Sequence, residues 1–406
     1  MLSSSSPPGA RNRIGKTSLF SAVIAVLCLA ALAISATGAS AATTKWTTTP
    51  AMPLPMGATS AKAQAVACPS SACIAVGNSN NNGQPPLAEH WNGSAWSLKA
   101  LPLPNDYQDE GLLNAISCSG GTCTAVGKYR DWTGKERPLA YRWSGTAWSL
   151  ITLPQIPSTE SSLNGVSCYS TRCVAVGTFR TGPLSYKQPW AVNYNGTSWT
   201  AEDLTALTGP YVSLNGVGCF STTTCMAVGG TLTGTLKAVA LQWTGGKWSV
   251  SKLVAPSEKE NRLEGISCVA TLPSGTGYCE AVGYYIPAAG GTTVPLAERW
   301  NGTEWTLQST PNPAGGTKAA LKGVSCVLST CWASGAYTPS GASSSSPLGE
   351  RFEASTWSVD LPNTIAGATS QNLSGISCFV SNKCMSVGTY YSGGVTLPMA
   401  QSLVRE

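Results

Sequence analysis

A chain of 406 residues, 42% hydrophobic and only 11% charged, is long enough to bury a large core. Its wealth of Ser, Thr, Gly and Ala suits short strands and polar turns better than helices. The formal charge of +6 forms no basic stripe and argues against a nucleic-acid partner, while a single histidine, His90, leaves little material for histidine-based acid–base or metal chemistry.

In chain order, a basic Ser/Pro-rich start with Arg11, Arg13 and Lys16 leads into an apolar run over 19–33 and then Ala39-Ser40-Ala41, which fits a signal-peptidase site. Residues 1–41 therefore read as a signal peptide, with an uncleaved anchor helix as the alternative. The arginines are not paired, so the general secretory route fits better than the twin-arginine route. Beyond residue 42 nothing approaches the ~20 apolar residues of a spanning helix. Residues 42–406 are expected outside the cytoplasm, without a membrane span.

The rest of the chain repeats. The stretch 163–177, LNGVSCYSTRCVAVG, is one of seven copies; the others close at Gly77, Gly127, Gly229, Gly283, Gly335 and Gly388. Cys28 leaves with the leader, and the remaining cysteines form neighbouring pairs: Cys68 and Cys73, Cys118 and Cys123, Cys168 and Cys173, Cys219 and Cys225, Cys268 and Cys279, Cys326 and Cys331, Cys378 and Cys384. An even count in an exported chain reads as disulfides. If GVSC and CVAVG are the two strands of a hairpin, the cysteines face each other with Cα atoms ~4.5–5.5 Å apart, within reach of a disulfide. Zinc held by pairs of motifs is the rival reading, and it needs two hairpins to converge in a reducing compartment.

A variable loop follows each hairpin, then a third strand such as Pro295-Leu296-Ala297-Glu298-Arg299-Trp300, a tight turn and a fourth strand. Asn92-Gly93, Asn195-Gly196 and Asn301-Gly302 supply the positive φ that hairpin turns demand. These Asn also match the glycosylation pattern, but turn chemistry already explains them. Trp46, Trp96, Trp148, Trp199, Trp248, Trp305 and Trp357 open the fourth strands. A sugar-binding ladder is one use for them; recurrence in register in every repeat favours packing.

The seventh repeat has a third strand up to Leu403 and no fourth, whereas the segment 44–55 looks like the tail of a repeat. A ring closes if the strand around Trp46 completes the last blade, which removes exposed edges. The period of about 50 residues suits a four-stranded blade. The fold class expected is all-β: a single seven-bladed β-propeller over 42–406, with an open array of hairpins as the alternative.

In such a blade the disulfide loops and Asn-Gly turns share one face, and the long connections share the other. The long connections vary between blades, as a binding surface on a rigid scaffold would. They carry Tyr129, Arg130, Trp132, Phe179, Arg180, Tyr186, Lys187, Tyr284, Tyr285, Tyr337, Tyr390 and Tyr391, the expected ligand face. Two residues before the repeated Val/Ile of each first strand stand Gln64, Asn114, Asn164, Asn215, Glu264, Lys322 and Ser374. If the first strands line the central channel, these ring its mouth.

The strand, Asn-Gly turn and tryptophan together resemble a degenerate Asp-box hairpin, the third-to-fourth-strand turn of sialidase-like propellers. The box's serine and aspartate are missing, and the arginine triad, tyrosine–glutamate pair and acidic donor that a sialidase needs do not map onto this chain. The period is similar to kelch repeats too, but the kelch double glycine occurs once, at Gly229-Gly230. The repeat also resembles those of exported bacterial proteins with no assigned activity.

Two functions compete. A non-catalytic, lectin-like or protein-binding propeller needs only varied loops. A sialidase-like or other glycoside hydrolase or lyase needs two carboxylates about 5–9.5 Å apart. Glu89, Glu298 and Glu350 recur on third strands and read as structure. Glu264, with Glu258 and Glu260 ahead of it, is the weak catalytic candidate. No cofactor or metal is implied; the expected partner is an extracellular glycan or protein, and the expected state a monomer.

Overall fold

The computed structural model describes residues 43–154, 156–182, 185–231, 234–254, 260–271 and 276–406, so the leader and its cleavage site lie outside the described residues. The described chain forms seven four-stranded antiparallel sheets. These are blade 1 (61–98), blade 2 (107–150), blade 3 (160–203), blade 4 (212–251), blade 5 (260–308), blade 6 (316–359) and blade 7 (370–405), the last joined by Thr44–Thr48. Thr44–Thr48 is the outermost strand of blade 7, with Trp46 opposite Leu403. The first and last strands among the described residues therefore close the ring, and blade 1 packs on blade 7. The one helix among the described residues is a single turn, Thr205–Thr208. No helix there is long and apolar enough to cross a membrane.

Each blade is crossed by a row of four residues, one per strand. In blade 3 the row is Cys168, Cys173, Tyr194 and Trp199, each opposite the next. Blades 2, 4, 5 and 6 repeat it with Trp143–Trp148, Trp243–Trp248, Trp300–Trp305 and Phe352–Trp357. All seven disulfides are present, with Cα atoms 3.9–4.1 Å apart. That is tighter than the hairpin spacing alone predicts, because the bond draws the strands together. Loops this short stabilise by about 2 kcal/mol each in the chain-entropy treatment. The fourth-strand indoles are buried, Trp199 less than the rest, and several are tied to the preceding blade. Trp305 Nε1 donates to Ser251 Oγ at 2.9 Å, Trp46 Nε1 to Asp360 Oδ1 at 3.1 Å and Trp148 Nε1 to His90 Nε2 at 3.3 Å. Burial holds His90 neutral, its pKa lowered to about 4 with help from Lys99. The only histidine is a packing residue.

The first strand of every blade carries the same β-bulge. In blade 3 the register slips between Leu163 and Gly165, so Asn164 has no partner on the second strand. The slip recurs at the corresponding place in the other six blades. A bulge bends its strand and increases the local twist, and just ahead of it the carbonyl two residues before the bulge residue approaches the second strand. The glycine that ends each repeat sits against that carbonyl: a Cβ at Gly177 would lie 2.0 Å from Ser162 O, and one at Gly127 1.8 Å from Leu112 O. This glycine is dictated by close approach, and the second strand runs on past it.

The third strands place fully buried carboxylates between blades. Glu89 and Glu350 have no hydrogen-bond partner for either oxygen, while Glu298 accepts from Val254 N at 3.1 Å. Burial raises Glu89 to about 8, Glu298 to about 7 and Glu350 well above its ordinary value. They belong to the packing, as their recurrence predicts.

Two outcomes follow from this packing. Gly177→Ala should cost at least about 1–3 kcal/mol in urea unfolding, the scale of overpacking. Gly182→Ala, where nothing lies within 4 Å of the added carbon, should be neutral. The glutamates also set a pH dependence. A carboxyl whose folded pKa is raised stabilises the fold below its unfolded value near 4.5, and the gain is lost as pH climbs through 7–8. His90, lowered in the fold, acts in the opposite sense only below about 6.5. The thermal midpoint should therefore fall between about pH 6.5 and 8.5, and Glu89→Gln should flatten the slope. A midpoint that rises over that range would contradict the assignment.

Candidate functional site: a cup on the ring axis

The seven bulge residues, one per blade, are the seven polar residues expected at the channel mouth, and all of them line one central cavity of about 720 Å³. Toward the disulfide loops its lining ends at a collar of Val66, Ile116, Val166, Val217, Ile266, Val324 and Ile376. Its wall climbs the other way, through Ser162, Ser213, Arg262 and Asn372, to Lys187 and Lys318. The cup thus opens on the face of the long connections.

Much of the ring is structural. Asn114 Nδ2 donates to Leu163 O at 2.9 Å, Asn164 Nδ2 to Leu214 O at 2.8 Å and Asn215 Nδ2 to Leu263 O at 2.8 Å, each bond reaching into the next blade. A second set of inter-blade bonds lies nearer the disulfides. The serine before the first cysteine accepts from the next blade's first cysteine N–H: Cys168 N to Ser117 Oγ at 2.9 Å, Cys219 N to Ser167 Oγ at 3.0 Å, and likewise onto Ser267, Ser325 and Ser377. The recurrent Ser-Cys dipeptide was its signal in the sequence, masked by reading the motif for its cysteines.

Around blades 5 and 6 the ring turns from amides to charges. Glu264 Oε1 accepts a hydrogen bond from Lys322 Nζ at 3.2 Å and is ion-paired with Arg262, whose Nε lies 3.3 Å away, while Arg262 Nη2 donates to Asn215 Oδ1 at 2.9 Å. Lys322 Nζ stands 5.7 Å above the Tyr284 ring, whose hydroxyl burial pushes up. Lys187 and Lys318 are exposed and make no ion pair among the described residues. Among the described residues the lining therefore carries Lys187, Arg262, Lys318 and Lys322 against one carboxylate, Glu264, which is already shared by two of them. Such a wall attracts an anion.

Of the residues expected on the ligand face, Trp132, Tyr186 and Lys187 stand on connections, all three exposed, and of these Lys187 lines the cup. Trp132 Nε1 donates to Tyr107 O at 3.0 Å, and the Tyr186 ring lies 3.7 Å from that of Tyr211. The others are strand residues, because the second strands continue past the glycine, as in Thr122–Asp131, Arg172–Arg180 and Thr276–Ile286. Strand alternation buries Tyr129, whose hydroxyl donates to Asp106 Oδ1 at 2.9 Å, and Phe179. Arg130 and Arg180 point out and are paired, to Glu110 at 2.6 Å and Glu160 at 3.6 Å. Tyr285, Tyr337 and Tyr390 are half-buried and do not line the cup, and Tyr391 is exposed. Glu260 does not line it, and Glu258 lies outside the described residues. Among the described residues, no three His, Cys, Asp or Glu side chains come together to hold a metal ion.

No protein-family model and no curated protein matches this chain. Solved structures do. A protein of unknown function from Dyadobacter fermentans aligns with TM-score 0.50 at 10% identity, over 89% of this chain and 99% of its own. YCF48 bound to a D1 peptide aligns with TM-score 0.48 at 15% identity, over 89% and 97%. Trypanosoma rangeli sialidase in complex with sialic acid aligns with TM-score 0.45 at 10% identity, over 77% of this chain and 56% of the sialidase. At these identities the likeness is one of fold.

Proposed function

We propose that this chain is a secreted, non-catalytic binding propeller whose central cup takes an acidic saccharide. The observation that carries the reading is the charge of the cup: four cations face one carboxylate, and that carboxylate is held in ion pairs. An acid group entering the cup meets several cations in one concavity, where charge-assisted hydrogen bonds add to their attraction. The amide side of the ring, with hydroxyls such as those of Ser162, Thr178 and Ser213, suits a polyhydroxylated ligand better than an apolar peptide anchor. Seven disulfides and the leader-like start support life in an oxidising compartment.

The hydrolase or lyase reading gains nothing from this geometry. A glycosidase needs a second carboxylate about 5–9.5 Å from the first, and among the described residues the lining offers only Glu264. The one arginine of the lining, Arg262, is likewise no triad.

The test is equilibrium binding of residues 42–406 to uronate and sulfated oligosaccharides and to neutral ones of equal length. Acidic chains should bind, neutral ones should not, and raising salt from about 0.05 to 0.5 M should weaken the complex. Glu264→Gln, which removes the cup's negative charge, should tighten binding. Equal retention of neutral chains, binding of acidic peptides alone, or a loss of turnover in that variant would overturn the proposal.

A further inference from the structure

Three first strands begin with a backbone oddity. Four residues before the bulge residue, blades 2, 4 and 6 place Glu110 (φ 55°), Tyr211 (φ 74°) and Lys318 (φ 52°) in the left-handed region. Side chains other than glycine, asparagine and aspartate adopt it at a cost in stability, and strained residues that persist cluster at functional sites. In blades 2 and 6 a second register slip accompanies the strain, between Asp109 and Leu112 and between Thr317 and Ala320. Glycine is at hand in blade 6, at Gly315 and Gly316, yet the left-handed position two residues on is a lysine.

The three side chains are used differently. Glu110 is taken by Arg130 at 2.6 Å and does not line the cup, while Tyr211 is covered by the Tyr186 ring at 3.7 Å. Lys318 is exposed, lines the cup, and has no hydrogen bond or ion pair among the described residues. The next residue, Ala319, is fully buried against the core between blades 5 and 6. The slip thus drives a methyl group into the core and turns the lysine over the opening. The cations deeper in the wall, Arg262 and Lys322, already share Glu264.

We infer that Lys318 is the specificity-determining residue by which the cup selects an acid group, and that its left-handed backbone is stability given up for placement. The inference rests on the cup reading above. Lys318→Gly should not lower the thermal midpoint, since it removes the strain, but should weaken binding of tetragalacturonate and of a sulfated hexasaccharide about tenfold or more, the loss of one charge-assisted contact. Lys318→Asn, which tolerates the same φ without the charge, should behave alike and guards against a glycine-specific defect. Glu110→Gly, the same backbone position in blade 2 but outside the cup, should leave affinity unchanged. If the wild type binds and Lys318→Gly binds equally well, the role of Lys318 is overturned and the cup reading stands. If Glu110→Gly weakens binding as much, rim shape rather than charge selects the ligand and the inference fails. If the wild type binds neither saccharide, the cup reading falls and this inference with it.

Discussion

Seven innermost strands must approach one axis closely enough to touch, and the rest of the molecule answers to that demand. Adjacent first strands meet at Gly165, Gly216, Gly265, Gly323 and Gly375, where an added Cβ would lie 2.7–3.3 Å from the nearest atom of the next blade. Blades 1 and 2 manage with Ala65 and Ala115 at the same place. Such proximity would strand backbone groups away from water. The asparagine amides and the serine hydroxyls capture a carbonyl and an N–H across the blade boundary, so the axis is satisfied by side chains where no sheet continues. The bulge makes this possible by freeing one residue per strand from its own sheet.

Because the bulge residues line the cup as well, one set of positions serves both cohesion and recognition. Blades 2 to 4 spend their asparagines on the neighbouring blade. Blades 5 and 6 replace them with Glu264 and Lys322, giving up the inter-blade amide bond for an ion-paired cluster with Arg262. The polarity of the cup is therefore lopsided: amides on one side, charges on the other. A sevenfold scaffold acquires a direction, and a ligand bound there would have one preferred orientation.

The repeats, the cysteine pairing, the closing strand and the seven channel positions were all legible in the sequence, since each is a periodic feature and periodicity survives without coordinates. The bulge was not. Asn164 and Gly177 are both plain on the page, but the contact between Ser162 O and Gly177 that links them depends on a one-residue slip with no composition of its own. Taking Gly177 for a strand end then hid the strand beyond it, so Tyr129 and Arg180 were placed on loops. Arg262 and Lys318 were missed for a related reason. They sit upstream of the repeated core of the first strand, where the copies diverge and no register marks which way a side chain points.

The crosslinks and the ring's clasp differ in reach. Every disulfide joins cysteines 5 to 11 residues apart, inside a hairpin. The clasp joins Trp46 to Leu403, nearly the two ends of the described chain. A chain made from its N-terminus can thus fix each blade covalently soon after that blade emerges, with its proper partner always the nearest cysteine. The strand of Trp46, first to appear, has to wait unpaired until the last blade is complete. Locality is assigned to the bonds that are slow to correct once wrong, and the long-range step is left to a noncovalent strand that can be tried repeatedly.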